Sequence, residues 1–126
     1  MNKFIALANF VAANEIGNYP DPDIKRDFHR LSKLVLNSIK IELDHEHSEI
    51  RSNMGGIAVS GEITLHTDRL YVQISEGYMG KQIMYRSCEG TKDFTGGTNR
   101  FLSLEEFARR TSHYIEMMKR EARKAN

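Results

Sequence analysis

The run Ile57-Ala58-Val59-Ser60-Gly61-Glu62-Ile63-Thr64-Leu65-His66-Thr67, followed by Leu70-Tyr71-Val72-Gln73-Ile74-Ser75, decides the fold class. Ile57, Val59, Ile63 and Leu65 alternate with Ala58, Ser60, Glu62, Thr64 and His66. Successive residues of a strand point to opposite faces, so this period predicts a strand with one buried face and a bulge or bend at Gly61. Leu70, Val72 and Ile74 repeat the pattern after Thr67-Asp68-Arg69, and Lys81 to Cys88 supplies a third strand after a turn over Gly77 to Gly80. Links this short leave no room for a parallel crossover of about a dozen residues, so the strands are expected to form an antiparallel meander.

Helical spacing flanks this meander on both sides. Phe4, Leu7, Ala8 and Val11 predict a first short helix near residues 2–15. Asp21-Pro22 opens a second, because Asp21 can accept from free amides while proline fills a position whose N–H has no helical partner. Its apolar stripe is Ile24, Phe28, Leu31, Leu34, Val35, Ile39 and Leu43, with Lys25, Arg26, Lys33 and Lys40 expected opposite. Ile50 to Ser52 can add an edge strand. Ser103-Leu104-Glu105-Glu106 has capping-box spacing between Leu102 and Phe107, and predicts a last helix with the stripe Leu104, Phe107, Ala108, Thr111, Ile115 and Met118.

The fold expected is α+β, one domain over residues 1–126, with a three- to four-stranded antiparallel sheet and the N-terminal and C-terminal helices packed on one face. A chain of 126 residues, 40% hydrophobic and 28% charged, has the composition of an ordinary globular protein. Its 18 basic and 17 acidic residues give a net charge of +1, so no global field draws it to nucleic acid or an anionic membrane. The single cysteine, Cys88, rules out an intramolecular disulfide and fits a reducing, cytoplasmic setting. Asn9 interrupts the N-terminal apolar run and Glu15 follows soon after it, which argues against a secretory signal, and nothing approaches the ~20 apolar residues of a membrane span.

Chemistry-bearing residues gather on and after the third strand. The outer sheet face is expected to carry Glu62, Thr64, His66, Tyr71, Gln73 and members of the Gln82, Met84, Arg86 set. Glu89-Gly90-Thr91-Lys92-Asp93-Phe94-Thr95-Gly96-Gly97-Thr98-Asn99-Arg100 is a polar loop whose Lys92, Asn99 and Arg100 suit an anion or a carboxylate-rich surface. Its glycines equally suit a tight turn, with Phe94 and Phe101 packing back onto the core. They match neither the dinucleotide pattern nor a phosphate loop, and no cofactor is implied. Asp44-His45-Glu46-His47 with Glu49 is an acidic-histidine cluster without the spacing or cysteines of a zinc site, and no metal is assigned to it. His29 and His113 are read as helix boundary residues. Cys88 could pair with a histidine as a nucleophile, but no acid/base pair stands out beside it.

Gly55-Gly56, Leu65-His66-Thr67-Asp68, Leu70-Tyr71-Val72-Gln73, Tyr85-Arg86, Cys88 and Asp93-Phe94-Thr95-Gly96-Gly97 together resemble small uncharacterised proteins carried by bacteriophages and prophages. The resemblance implies an accessory protein made in the cytoplasm of a bacterial host. That class includes non-enzymatic inhibitors of host defence complexes such as CRISPR-Cas, which block a nucleoprotein machine by surface contact.

The expected function is therefore binding and steric inhibition or regulation of a host protein or nucleoprotein complex, without catalysis. Tyr71, Tyr85 and Phe94 would supply contact area, with Gln73, Arg86, Lys92, Asp93, Asn99 and Arg100 setting polar specificity. A double-stranded RNA-binding reading comes second, since helix, three strands, helix is that order of elements, but the acidic Glu105-Glu106 opens the helix that would meet phosphate. An enzyme of unknown substrate comes third. Self-association through an edge strand or Met117-Met118 is left open.

Overall fold

A computed structural model describes residues 2–125, apart from the side chain of Tyr78. Helix α1 (Lys3–Ala13) begins at Asn2, whose side chain accepts from the Phe4 and Ile5 amides. Helix α2 (Pro22–Leu43) begins where Asp21 accepts from the Asp23 and Ile24 amides, and stops at Asp44, which takes a left-handed φ of 52°. Five strands follow, β1 (Ser48–Asn53), β2 (Glu62–Thr67), β3 (Leu70–Tyr78), β4 (Lys81–Ser87) and β5 (Arg100–Leu102), and then helices α3 (Leu104–Arg109) and α4 (Thr111–Ala122). The sheet order is β1-β2-β3-β4-β5, every pair antiparallel. The α+β meander expected from the sequence is present, with five strands in place of three or four.

Ile50, Ile63, Leu65, Val72, Ile74, Ile83 and Leu102 point to one face of the sheet. There they meet Phe28, Val35, Leu36 and Ile39 of α2 and Phe107, Ile115 and Met118 of α3 and α4 in one apolar cluster. Leu7 of α1 joins it, and Phe4 stands edge-on to Phe107 at 5.1 Å between ring centroids. Burying each large apolar side chain stabilises the fold by about 1.5–3 kcal/mol, which is why the helices share this face.

Four expectations are corrected by the coordinates. Ile57 and Val59 are not inward strand residues: Ile57 is 83% exposed, in a loop between Asn53 and Glu62. Gly55 and Gly61 both take a positive φ and turn the chain back on itself there, so the alternation continued by chance across a bend. Second, Lys25 is buried: its stem lies along the core side of α2 while Nζ donates to the Gly56 carbonyl at 3.0 Å. Leu34, placed in the stripe by spacing, is exposed instead. Third, His29 is no boundary residue. It is buried, with Nδ1 2.6 Å from Ser52 Oγ and Nε2 2.6 Å from the Ser60 carbonyl, so it ties α2 to β1 and to the 54–61 loop. Burial, ahead of nearby Lys25 and Lys33, pushes its pKa below the usual 6.5 and keeps the ring neutral.

Fourth, the last helix is two. Arg110, at φ −133° and ψ 48°, breaks it between α3 and α4. Ser103 Oγ caps α3 by accepting the Glu106 amide, but the Glu106 carboxylate turns to the Tyr114 hydroxyl instead of closing a capping box. The expected turn over Gly77 to Gly80 narrows to Met79-Gly80, both at positive φ as a two-residue hairpin turn requires. Among the described residues, no helix is long and apolar enough to cross a membrane.

Truncating the buried Ile74 to alanine is expected to lower unfolding free energy by about 2–5 kcal/mol. The same change at Ile57 is expected to stay within about 0.5 kcal/mol. Urea titrations of the two variants check this, and an equal loss would return residues 57–61 to the strand.

Candidate functional site

With every helix on the inner face, no helix covers the outer face, and only the 89–100 loop crosses part of it. Its register sets Glu49, His66, Tyr71 and Arg86 in one row across β1 to β4, and Arg51, Thr64, Gln73, Met84 and Phe101 in the next across all five strands. Glu49 and Arg51 pair at 2.8 Å on the edge strand β1. Phe101 is 47% exposed, a large apolar group that helix packing would bury on the other face. The sequence flagged it only as core filler. Its outward direction follows from pairing with Met84, a relation hidden until the three-residue β5 is seen.

The first row is stacked and largely shielded. The Arg86 guanidinium carbon lies 4.4 Å from the centre of the Tyr71 ring, a cation–π contact, and the Tyr71 hydroxyl donates to Gln73 Oε1 at 3.1 Å. His66 stands edge-on to Tyr71 and to Phe94, with centroids 5.1 Å apart in each pair. Arg86 Nη2 donates to the Phe94 carbonyl at 2.6 Å, so the polar loop is strapped over this end of the sheet. Phe94 itself is 61% exposed and forms the outer surface of the strap. Burial, followed by the nearby Arg86 charge among the lowering causes, holds His66 below its ordinary pKa, while the Gly90 backbone acts the other way.

Asp93 organises that strap. Its Oδ1 accepts from the amides of Thr95 and Gly96 and from the Thr95 hydroxyl, and its Oδ2 accepts from the Glu89 amide. These donors, the Thr95 and Glu89 amides first, lower its pKa to about 2. Gly96 and Gly97 then run against β4: a Cβ on Gly96 would collide with the Ser87 carbonyl, and one on Gly97 with the Ser87 hydroxyl. The Gly97 amide donates to that same carbonyl at 2.8 Å. The glycine pair therefore serves close packing of the loop on its own sheet, which accounts for it without a ligand.

The sequence-derived site residues separate into groups. Tyr71, Gln73, Arg86 and Phe94 come together on the outer face, with Asp93 holding the loop above them. Lys92 and Asn99 are exposed on that loop. Tyr85 does not join them: it points inward to the core opposite Arg100, because neighbouring strand residues face opposite ways. Arg100 likewise turns to the helix side, where its Nε lies 3.5 Å from Glu121. Gln82, expected on the outer face, accepts the Leu104 amide and helps to start α3.

Cys88 is buried, and its Sγ–H donates to the Thr67 carbonyl at 3.3 Å. Burial pushes the thiol pKa up, which disfavours the thiolate needed for nucleophilic attack. His45 and His47 part company, the first bonded to Thr67 and the second exposed beside Glu46 at 3.8 Å. Among the described residues, no three His, Cys, Asp or Glu side chains converge to hold a metal ion.

A depressed carboxylate pKa contributes order that is complete above the unfolded value of about 3.9 and is lost as pH falls through the folded value. The Thr95 and Gly96 amides are therefore expected to keep their native NMR shifts at pH 3.5 and to lose them with a midpoint of about 2, whereas Asp93→Ala, which removes the acceptor, frees them at every pH. No protein-family model, curated protein or solved structure matches this chain, and its functional reading rests on the geometry of its own faces.

Proposed function

We propose that this chain is a non-enzymatic accessory protein of the phage type that binds a host protein or nucleoprotein complex through its outer sheet face and blocks it sterically. The observation that carries this reading is the segregation of layers: all helices cover one face, and the other presents Met84, Phe101 and the Phe94 strap among polar residues. A rigid antiparallel sheet with large apolar groups held outward offers contact area at low ordering cost. Glu49, Arg51 and Glu62 form a charged margin at its β1 end.

Nucleic acid is the weaker partner, because the helix side offers it no basic stripe either. Arg109 of α3, Arg120 of α4, and Arg123 and Lys124 just after α4 lie within 4.0 Å of Glu105, Glu116 or Glu121, so these cations are opposed by carboxylates. The buried thiol of Cys88 likewise gives an enzymatic reading little to work with.

Capture from nuclease-treated bacterial lysate tests the proposal. The native chain and an Ile57→Asp variant are expected to retain the same stoichiometric protein, while Phe94→Ser with Phe101→Asp weakens it by about 2 kcal/mol or more, roughly thirtyfold in affinity. Retention by the double variant would exclude the outer face, and loss of every partner on nuclease treatment would favour nucleic acid.

A further inference from the structure

A second recess lies away from that face, where three elements end together. It measures about 310 Å³, at the small end of ligand pockets, and is lined by Glu42 and Leu43 of α2, His45, Arg69 of the β2–β3 turn, and Lys119, Ala122 and Arg123 at the end of α4. Three cationic side chains thus line the recess with one carboxylate, while Asp44 and Asp68 stand near His45 and Glu116 near Arg123. Among the described residues, neither Arg69 nor Lys119 has a carboxylate within 4.0 Å, and Arg123 reaches only Glu116, at 3.9 Å.

The tautomer of His45 follows from its neighbour. Thr67 Oγ1 is fully buried and already accepts the amides of Arg69 at 3.0 Å and Leu70 at 2.8 Å, which fills both of its lone pairs. Its own proton must therefore go to His45 Nδ1, 2.8 Å away, leaving the imidazole proton on Nε2. Burial, with a further contribution from Arg69, lowers the His45 pKa against the raising effect of Asp68 and Asp44, so the ring is held as this neutral donor. His45, Arg69, Lys119 and Arg123 thus all bring N–H donors to the recess.

We propose that this recess binds a phosphoryl group, carried by inorganic phosphate or by a small phosphomonoester. A dianion can accept from several donors at once, and guanidinium, ammonium and imidazole N–H groups from three separate elements suit its tetrahedral oxygens better than a single carboxylate. Glu42 opposes it and sets an upper limit on affinity.

The test is an ¹H–¹⁵N NMR titration of the full chain with sodium phosphate, and separately with adenosine 5′-monophosphate, against sodium chloride at matched ionic strength. Saturable shifts at His45, Arg69 and Arg123 are expected with phosphate. Equal affinity for the nucleotide would identify the free ion as sufficient, and tighter nucleotide binding would identify the phosphomonoester as the ligand; both uphold the site. Arg69→Gln and Lys119→Gln, which leave the Thr67 bonds in place, are each expected to weaken binding about tenfold, and Glu42→Gln to tighten it. Shifts that grow linearly and match chloride, or affinity unchanged in both cation variants, would overturn the proposal and leave these side chains as partners of the negative ends of α2 and α4.

Discussion

The packing of α2 on the inner face of β1 and β2 is the contact from which the remaining arrangement follows. Phe28, Val35, Leu36 and Ile39 are fully buried along one stripe of a 22-residue helix, and strand residues of the same parity meet them. Once that face is occupied, period-two geometry leaves no freedom for the alternate residues. Tyr71, Gln73, Met84 and Arg86 must point the other way, and α3 and α4 can add apolar area only beside α2. The polar track of α2, Lys25 and His29, completes this layer by holding the 54–61 loop and β1 through hydrogen bonds that apolar contacts would not direct.

What the sequence made legible was periodic and local. The alternation of Ile63 and Leu65 with Thr64 and His66, repeated over Leu70 to Ser75, is enough to read the meander, and Asp21-Pro22 and Ser103 mark helix starts by hydrogen bonds that span only a few residues. The failures involve a partner distant in the chain or a turn that periodicity does not reveal. Ile57 and Val59 keep the strand alternation but sit between two left-handed glycines. Lys25 reads as a surface charge because its acceptor, Gly56, lies on another element. Strand β5 is three residues long, too short to show a period, and without it neither the outward Phe101 nor the inward Arg100 can be placed.

The same limit governs the candidate site. Tyr71, Gln73 and Arg86 were legible because two of them share a strand face and the third is paired to it. Tyr85 was not, since it stands next to Arg86 in sequence and on the opposite side of the sheet. Asp93 and the glycine pair were conspicuous in the sequence, but their reason is internal: four donors converge on one carboxylate, and two missing side chains let the loop lie against Ser87. The rigidity of that loop decides where Phe94 sits, and so shapes the surface that a partner would meet.

The two edges of the sheet differ in length and chemistry. β5 is only three residues long, and β1 spans six, with Glu49 and Arg51 paired on its outer face and serines at two of its other positions. A flat apolar border would template the addition of further chains; a short border and a charged one resist it. The outer face can therefore expose Phe94 and Phe101 without an adjoining border suited to strand addition, since the hydrogen-bonding margins that convert face contacts into fibres are poorly suited to growth.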